Sequence, residues 1–259
     1  LESGRLRQVD LGGAIPTGST FALDGSTLFI TAVPGAEADH GVVLSVAADG
    51  RGPVRLIAEG AGYPSGPVAL ADGFVAYERG PRSPVRGVGV MDADAPAGIG
   101  LLDASRGVER LLPGDEFASS ADGRTLAWSA GSEAVNVFSA LRAPWNGEPA
   151  LFFETEEEVR DPALSPSGER MVFQMMTWHD WELYTLPTAG GEPERFTYEL
   201  QHDLYPRFLD EETIFAVMGE GRHRRSYLYD AEDAGRTRLF HNNTVRTIVE
   251  SLVQATQEM

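Results

Sequence analysis

The chain has 259 residues, of which 42% are hydrophobic, which is enough for a buried core in one large all-β domain or two ordinary domains and excludes a disordered chain. It carries 21 lysines and arginines against 39 acidic residues, and the resulting net charge of −18 opposes binding to nucleic acid or anionic lipid. Cationic ligands, metal ions and basic partners fit this charge better, and the alternative is that the acidic surface serves solubility alone. The absence of cysteine excludes disulfides and a cysteine nucleophile, and the absence of any run of eighteen apolar residues predicts that the chain spans no membrane.

A pattern of strand, tight turn and strand begins near residue 19 and occurs five times along the chain. The turn glycines are Gly25, Gly73, Gly123 and Gly168, with Glu212 in the fifth copy, at intervals of 48, 50, 45 and 44 residues. Asp-Gly between two apolar runs indicates a hairpin, because glycine adopts the positive φ that a primed turn requires. The apolar run after each turn lies, in chain order, at 28–30, 76–77, 126–128, 171–173 and 215–217.

Each unit then continues with a third and a fourth strand. The third strands are predicted at 42–46, 99–102, 135–138, 183–186 and 227–229. The fourth strands, which alternate charged and apolar residues as half-exposed strands do, are predicted at 54–57, 109–112, 150–153, 194–197 and 237–240. Four antiparallel strands in a unit of about 45 residues are typical of a β-propeller blade, whereas a β-sandwich gives no reason for the same order to repeat five times.

The two ends of the chain do not complete a unit. Residues 6–11 have the pattern of an outer strand with no blade before it, and residues 244–249 that of an inner strand with no blade after it. We therefore expect an all-β propeller of four-stranded antiparallel blades, about six in number, with one incomplete or shared between the termini. The single domain is expected at residues 1–250, followed at 251–259 by a tail or a fragment of a lost segment.

Polar residues of the fourth and fifth units form the first candidate site. Innermost strands of a propeller line its central channel, so we expect these residues near the channel mouth. Their charges and phenol suit a polar ligand or an ion, and the alternative is that Asp203 and Arg207 pair with neighbouring backbone and connect the blades. The candidates are Asp161, His202, Asp203, Tyr205 and Arg207.

A second candidate surface is the segment that contains Trp178, His179 and Trp181, between the second and third strands of the fourth unit. Two exposed aromatic rings would form a stacking surface for sugars or for a partner protein, and the alternative is that one of them belongs to the blade core. The chain has no His-Glu-x-x-His spacing and no nucleophile elbow, so no catalytic residue and no metal ligand is assigned. No cofactor is predicted, and a calcium or other divalent ion in the channel is left open.

Two segments of the fourth unit carry a family resemblance. Residues 161–173, Asp-Pro-Ala-Leu-Ser-Pro-Ser-Gly-Glu-Arg-Met-Val-Phe, and residues 181–197 resemble the PD40, or TolB-type, propeller repeat, in which a proline and Ser-Pro-Asp-Gly open the blade. The resemblance is strong in the fourth unit and good in the fifth. It is diluted in the first three, where Leu23, Ala71 and Ala121 replace the Ser-Pro before the turn.

A narrower resemblance lies in residues 203–209, 219–230 and 238–247, which are similar to propellers placed ahead of M28-type zinc aminopeptidase domains in large secreted bacterial proteins. In such proteins the metal ligands lie in the later domain, so none is carried over to this chain. The resemblance implies a periplasmic or secreted, non-catalytic module for interaction or substrate access, with a protein, a peptide or a further domain of the same polypeptide as partner. The alternative is the propeller portion of a hydrolase, acting on peptides or polysaccharides, with its site at the channel mouth or in a missing domain.

Overall fold

Five four-stranded antiparallel sheets follow one another along the chain in the computed structural model. The structure describes residues 7–91, 93–131, 135–198, 201–219 and 223–239. The expected all-β propeller of four-stranded antiparallel blades is confirmed. The strand expected at 244–249 and the tail expected at 251–259 lie outside the described residues, as does the way in which the ring closes.

In every blade the four strands lie side by side in chain order, and the first is the innermost. Blade 1 contains β1 (Ile15–Phe21), β2 (Thr27–Val33), β3 (His40–Ala47) and β4 (Arg55–Ala61). Blade 2 contains β5 (Tyr63–Ala69), β6 (Phe74–Gly80), β7 (Gly98–Asp103) and β8 (Val108–Leu112), with a 3₁₀ turn at Ala71–Gly73. Blade 3 contains β9 (Glu116–Ser119), β10 (Thr125–Gly131), β11 (Asn136–Arg142) and β12 (Ala150–Thr155). Blade 4 contains β13 (Val159–Leu164), β14 (Arg170–Thr177), β15 (Asp180–Pro187) and β16 (Glu194–Arg195), and blade 5 contains β17 (Asp203–Phe208), β18 (Thr213–Met218), β19 (Arg225–Asp230) and β20 (Arg236–Arg238).

The N-terminal segment differs from the expected outer strand at 6–11. Residues 7–11 form no strand, and residue 6 lies outside the described residues. Val9 and Leu11 instead pack, half-buried, against the apolar side chains of β2 and β3. The segment therefore covers the face of blade 1 that points away from blade 2.

The hydrophobic core lies between neighbouring blades. Between blades 3 and 4 the ring of Phe138 meets the ring of Phe173 edge to face, with centroids 4.8 Å apart, and both side chains are fully buried. Similar clusters join blades 1 and 2, blades 2 and 3, and blades 4 and 5. Each blade is thus stabilised by apolar contacts with the next one, because an isolated sheet would leave both faces in water.

The repeated turn joins the first two strands of a blade, as predicted, but it is longer than the primed two-residue turn that Asp-Gly indicates. In blade 1 the N–H of Gly25 donates to the carbonyl of Ala22 at 2.8 Å, and the φ of Gly25 is +70°. The carboxylate of Asp24 accepts from the N–H of Ser26 at 2.9 Å. Glycine therefore closes a four-residue β-turn, and aspartate supports that turn through its own side chain.

These turns also connect the blades. They lie at one end of the propeller, the turn face, and the opposite end, the loop face, carries the connections between second and third strands and between blades. On the turn face a backbone N–H of one turn donates to an acceptor of the next turn, between blades 2 and 3, 3 and 4, and 4 and 5. The pairs are Ala71 to Gly123 at 2.8 Å, Ala121 to Pro166 at 3.0 Å, and Ser167 to the side chain of Glu211 at 2.5 Å.

The turn contacts predict different costs for the same substitution in two blades. Gly25 and Gly123 both have positive φ, but a Cβ on Gly25 meets nothing within 4 Å, whereas a Cβ on Gly123 would lie 2.8 Å from the nitrogen of Ala71 and 3.0 Å from the Cα of Leu70. We expect Gly25→Ala to lower the free energy of unfolding by about 1–2 kcal/mol through backbone strain alone. Gly123→Ala should cost about 1–3 kcal/mol more, because two blades must move apart.

Urea unfolding of the two variants measures this difference. Equal losses of stability would show that the contact between turns contributes nothing to the joining of blades 2 and 3.

Candidate functional site

Three inner strands contain a β-bulge with one extra residue in the left-handed conformation, close to the loop face. The inner strand β1 also has a bulge, between Pro16 and Gly18, but no residue there is left-handed. The register shifts within β5, β13 and β17. The left-handed residues in the three bulges are Gly66, Asp161 and Tyr205, with φ of +56°, +49° and +57°, and each precedes a proline. Proline donates no N–H to a ladder, so a bulge is where an inner strand accommodates it. Glycine adopts this backbone conformation freely, whereas for aspartate and tyrosine it costs about 1–3 kcal/mol each.

Side chains of neighbouring strands hold the two strained bulges. The N–H of Asp161 donates to Oε2 of Glu116 in blade 3 at 2.5 Å, and the N–H of Tyr205 donates to Oε1 of Gln174 in blade 4 at 3.0 Å. Nε2 of the buried Gln174 donates to Oδ2 of Asp161 at 2.6 Å. A hydrogen-bonded chain of these four residues therefore connects blades 3, 4 and 5 beside the channel.

Of the predicted mouth residues, Asp161 and Tyr205 belong to this hydrogen-bonded chain, and Arg207 lies beside it. Nη2 of Arg207 lies 4.0 Å from Oδ1 of Asp161, and the half-exposed ring of Tyr205 lies 5.6 Å from the guanidinium of Arg224. Asp161 and Arg207 thus face each other, whereas Tyr205 joins the hydrogen-bonded chain through its backbone N–H alone; all three residues come from bulged inner strands.

Asp203 is placed elsewhere. It is fully buried inside blade 5, where its Oδ1 accepts from the hydroxyl of Tyr229 at 2.9 Å. Burial, followed by the charge of Asp203, raises the pKa of Tyr229. The pair is a buried polar contact within blade 5.

His202 connects two blades. Its Nδ1 pairs with the carboxylate of Asp180, the first residue of β15, and the N–H of Trp181 lies 3.2 Å from the same nitrogen. The carbonyl of His202 accepts from the N–H of Gly219 at 2.9 Å. The imidazole is therefore engaged with the second hairpin of blade 4, next to the start of β17.

A row of acidic side chains lies along the mouth of blades 2 to 4. Burial raises the pKa of Glu116, and the charges of Asp161 and Asp115 add to this effect. Burial, and then Asp115, also raises the pKa of Glu78. A cavity of about 220 Å³ opens between blades 3 and 4, lined mainly by Asp115, Glu116, Ser129, Asn136, Glu158 and Arg160. Among the residues that the structure describes, no three His, Asp or Glu side chains are arranged to hold a metal ion.

The second predicted surface is a hairpin tip. Trp178 and His179 alone connect β14 to β15, since Thr177 pairs with Asp180. Both tip residues have positive φ, +53° and +78°, and the side chain of Trp178 is 96% exposed. This type of tip normally carries Asn-Gly, because bulky residues are strained there.

Trp181 lies behind the tip and is only half-buried. The guanidinium of Arg160 lies 5.3 Å from the centroid of its ring and also pairs with the carboxylate of Glu158. The two tryptophans of this segment thus differ: Trp178 projects into water, whereas Trp181 packs against the propeller.

Sequence reasoning missed Glu116 and Gln174, the two side chains that hold the bulges. Gln174 carried a usable signal, because it is the one amide in the apolar run Met171–Met176 of an otherwise apolar strand. Glu116 carried none, since it stands among other acidic residues at the start of a short strand.

Comparison with known proteins supports the architecture. No protein-family model and no curated protein matches the chain. Among solved structures, a putative TolB from Agrobacterium tumefaciens is similar over 88% of this chain and 81% of its own, with 16% identity and a TM-score of 0.60. The fold is a TolB-like β-propeller. The predicted resemblance to this type of repeat is thereby confirmed at the level of fold.

The TolB-like propeller is also similar to parts of larger proteins. An oligogalacturonate lyase in complex with manganese matches over 88% of this chain and 65% of its own, with 13% identity and a TM-score of 0.60. A puromycin hydrolase matches over 88% of this chain and 39% of its own, with 17% identity and a TM-score of 0.61. The chain therefore spans less than two thirds of either protein. Within the described part of the chain, no helix is long and apolar enough to cross a membrane.

The contact between Glu116 and the bulge predicts opposite effects of two substitutions. Glu116→Gln keeps an acceptor for the N–H of Asp161 and removes a charge that burial disfavours, so we expect up to about 1 kcal/mol of added stability at pH 7. Because the pKa of Glu116 is raised in the folded state, the cost of its charge appears as the pH rises through the unfolded-state value of 4.5, and the gain from glutamine should vanish below it.

Glu116→Ala leaves the N–H of Asp161 without this acceptor and should cost about 1–3 kcal/mol at both pH values. Urea unfolding of the two variants at pH 4 and pH 7 measures both effects. A glutamine variant as unstable as the alanine variant at pH 7 would contradict the assigned role of Glu116.

Proposed function

We propose that this chain is a non-catalytic propeller module that binds a protein or peptide, or a further domain of the same polypeptide, through its loop face. The observation that carries the proposal is that some predicted site residues are engaged in contacts within the propeller, whereas one is exposed on the loop face. Asp161 and His202 are engaged in contacts that join strands and blades, whereas the side chain of Trp178 is exposed and projects into water.

The fold suits such a role. Neighbouring blades bury their faces against one another, so the loop face is held on a rigid support, and a rigid binding surface loses little conformational entropy when a partner docks. The acidic channel mouth adds a field that favours a cationic partner over an anionic one.

We further propose a bacterial envelope or secreted setting, periplasmic or extracellular. The support is the likeness of the fold to a putative TolB, together with the repeat resemblance in blades 4 and 5. A position ahead of an M28-type peptidase domain is the narrower form of this proposal, and it rests only on the sequence resemblance within residues 203–247.

The second candidate is the propeller portion of a hydrolase, acting on peptides or polysaccharides. The likeness to puromycin hydrolase favours it, because this chain corresponds to 39% of that protein. Catalysis within the chain would require two of the mouth residues to reach one reacting atom. In the present structure the carboxylate of Asp161 accepts from Gln174, and the imidazole of His202 pairs with Asp180.

Two measurements on the purified chain test the proposal. Incubation with fluorogenic peptide amides and with polygalacturonate should give no turnover above buffer, and selection from a random peptide library should give peptides that bind the folded chain. Turnover that Asp161→Asn or His202→Ala abolishes would overturn the proposal in favour of the hydrolase. Selected peptides whose binding is insensitive to every loop-face substitution would overturn the choice of face.

A further inference from the structure

The tip of the second hairpin in blade 4 gains nothing from tryptophan as far as folding is concerned. The side chain of Trp178 is 96% exposed, so it contributes almost no burial, and positive φ at both tip residues adds strain. Asn-Gly would fit the same backbone without that strain. Backbone strain together with an exposed aromatic ring is explained by a contact outside the chain, since large exposed rings are typical anchors of interfaces.

An acidic connection lies directly beside this tip. Residues 154–158 read Glu-Thr-Glu-Glu-Glu, lead from β12 into β13, and expose all four glutamates. The carbonyl of Glu158 accepts from the N–H of Met176 at 2.9 Å, two residues before Trp178. The carbonyl of Glu157 accepts from the side-chain amide of Asn136 at 2.9 Å. The connection is thus fixed between the hairpin of blade 4 and the third strand of blade 3.

The charge of this connection is largely uncompensated. Glu158 pairs with Arg160, but none of the ion pairs formed among the described residues includes Glu154, Glu156 or Glu157. Glu158 also lines the acidic cavity between blades 3 and 4, so the negative surface continues from the hairpin towards the channel mouth. We call Trp178, His179 and residues 154–158 the blade-4 rim.

We propose that the blade-4 rim binds a basic segment of a partner protein, rich in lysine or arginine. This inference rests on the proposed function and deepens it by naming the class of partner. A cationic side chain over the exposed ring of Trp178 gains a cation–π contact, and further cations pair with the free glutamates. Acidic partners are repelled by the rim and by the net charge of −18.

Fluorescence anisotropy with labelled synthetic peptides tests the proposal. The probe is a peptide of alternating lysine and serine, and glutamate–serine and glutamine–serine peptides of equal length are the controls. We expect the lysine peptide to bind the whole chain at low salt, to bind more weakly in about 0.5 M NaCl, and to bind better than both controls.

Matched variants locate the site. Trp178→Ala should weaken binding of the lysine peptide about two- to fivefold, and Glu156→Gln with Glu157→Gln about three- to tenfold. The controls are Tyr198→Ala, which removes an aromatic side chain that is 72% exposed, and Glu192→Gln with Glu232→Gln, which removes two exposed charges. All three control residues line a separate cavity of about 480 Å³ between blades 4 and 5, and their variants should leave affinity unchanged within about twofold.

A strain-relieving variant separates binding from folding. Trp178→Asn with His179→Gly should give a urea midpoint equal to or higher than that of the parent chain, while binding the lysine peptide as weakly as Trp178→Ala. A lower midpoint would contradict the claim that the tip is strained for function.

The outcomes distinguish this inference from the proposed function. No binding of the lysine peptide, binding that is equally strong for a control peptide, or equal losses in rim and control variants would overturn the basic-partner inference alone. Cleavage of any of the peptides, followed by mass spectrometry, would overturn the proposed non-catalytic function instead.

Discussion

The burial of each sheet against its neighbour is the interaction on which the rest of this propeller depends. A four-stranded blade has two faces, and apolar residues such as Phe138 and Phe173 are removed from water only where two blades meet. Because the innermost strands are thereby held side by side, polar groups of one blade come within hydrogen-bond distance of the next. The turn-to-turn bonds on one face and the chain from Glu116 to Tyr205 near the other both follow from this arrangement.

The two faces use backbone strain differently. At the bulges, Asp161 and Tyr205 adopt unfavourable conformations, and hydrogen bonds to their N–H groups repay part of the cost. At the hairpin tip, Trp178 and His179 adopt similar conformations, but the ring of Trp178 stays in water. Hydrogen bonds within the chain thus hold the bulges, whereas the proposed contact with a partner would account for the tip. Because the support beneath the tip is rigid, a partner that binds there would cause only a small loss of conformational entropy.

Alternation of apolar and polar residues and the recurring turn were enough to predict the fold, since both report local backbone geometry. Details that depend on contacts between distant residues were not predictable. The fourth strand of blade 4 was expected at 194–197 but ends at Arg195, because the hydroxyl of Thr197 bonds the N–H of Leu183 and the carboxylate of Glu182.

The placement of Asp203 has a similar cause. The bulge at Tyr205 breaks the alternation of β17, so counting along the strand from Arg207 does not give the side on which Asp203 lies. In the sequence only Pro206 marks that bulge, because glycine or asparagine would be expected where tyrosine stands. The position of Trp178 between two predicted strands was enough to predict that it lies at the surface. That Trp181 packs separately from it was not predictable, because this depends on the contact of Trp181 with Arg160.

Hydroxyl-radical footprinting read out by mass spectrometry tests most directly whether the blade-4 rim is the binding surface. Trp128 and Trp145 are buried and serve as internal references, whereas Trp178 and Tyr198 are both open to oxidation in the free chain. With the lysine–serine peptide bound, our account predicts that oxidation of Trp178 falls while that of Tyr198 stays constant. Unchanged oxidation of Trp178 in the saturated complex, with protection of Tyr198, would contradict it.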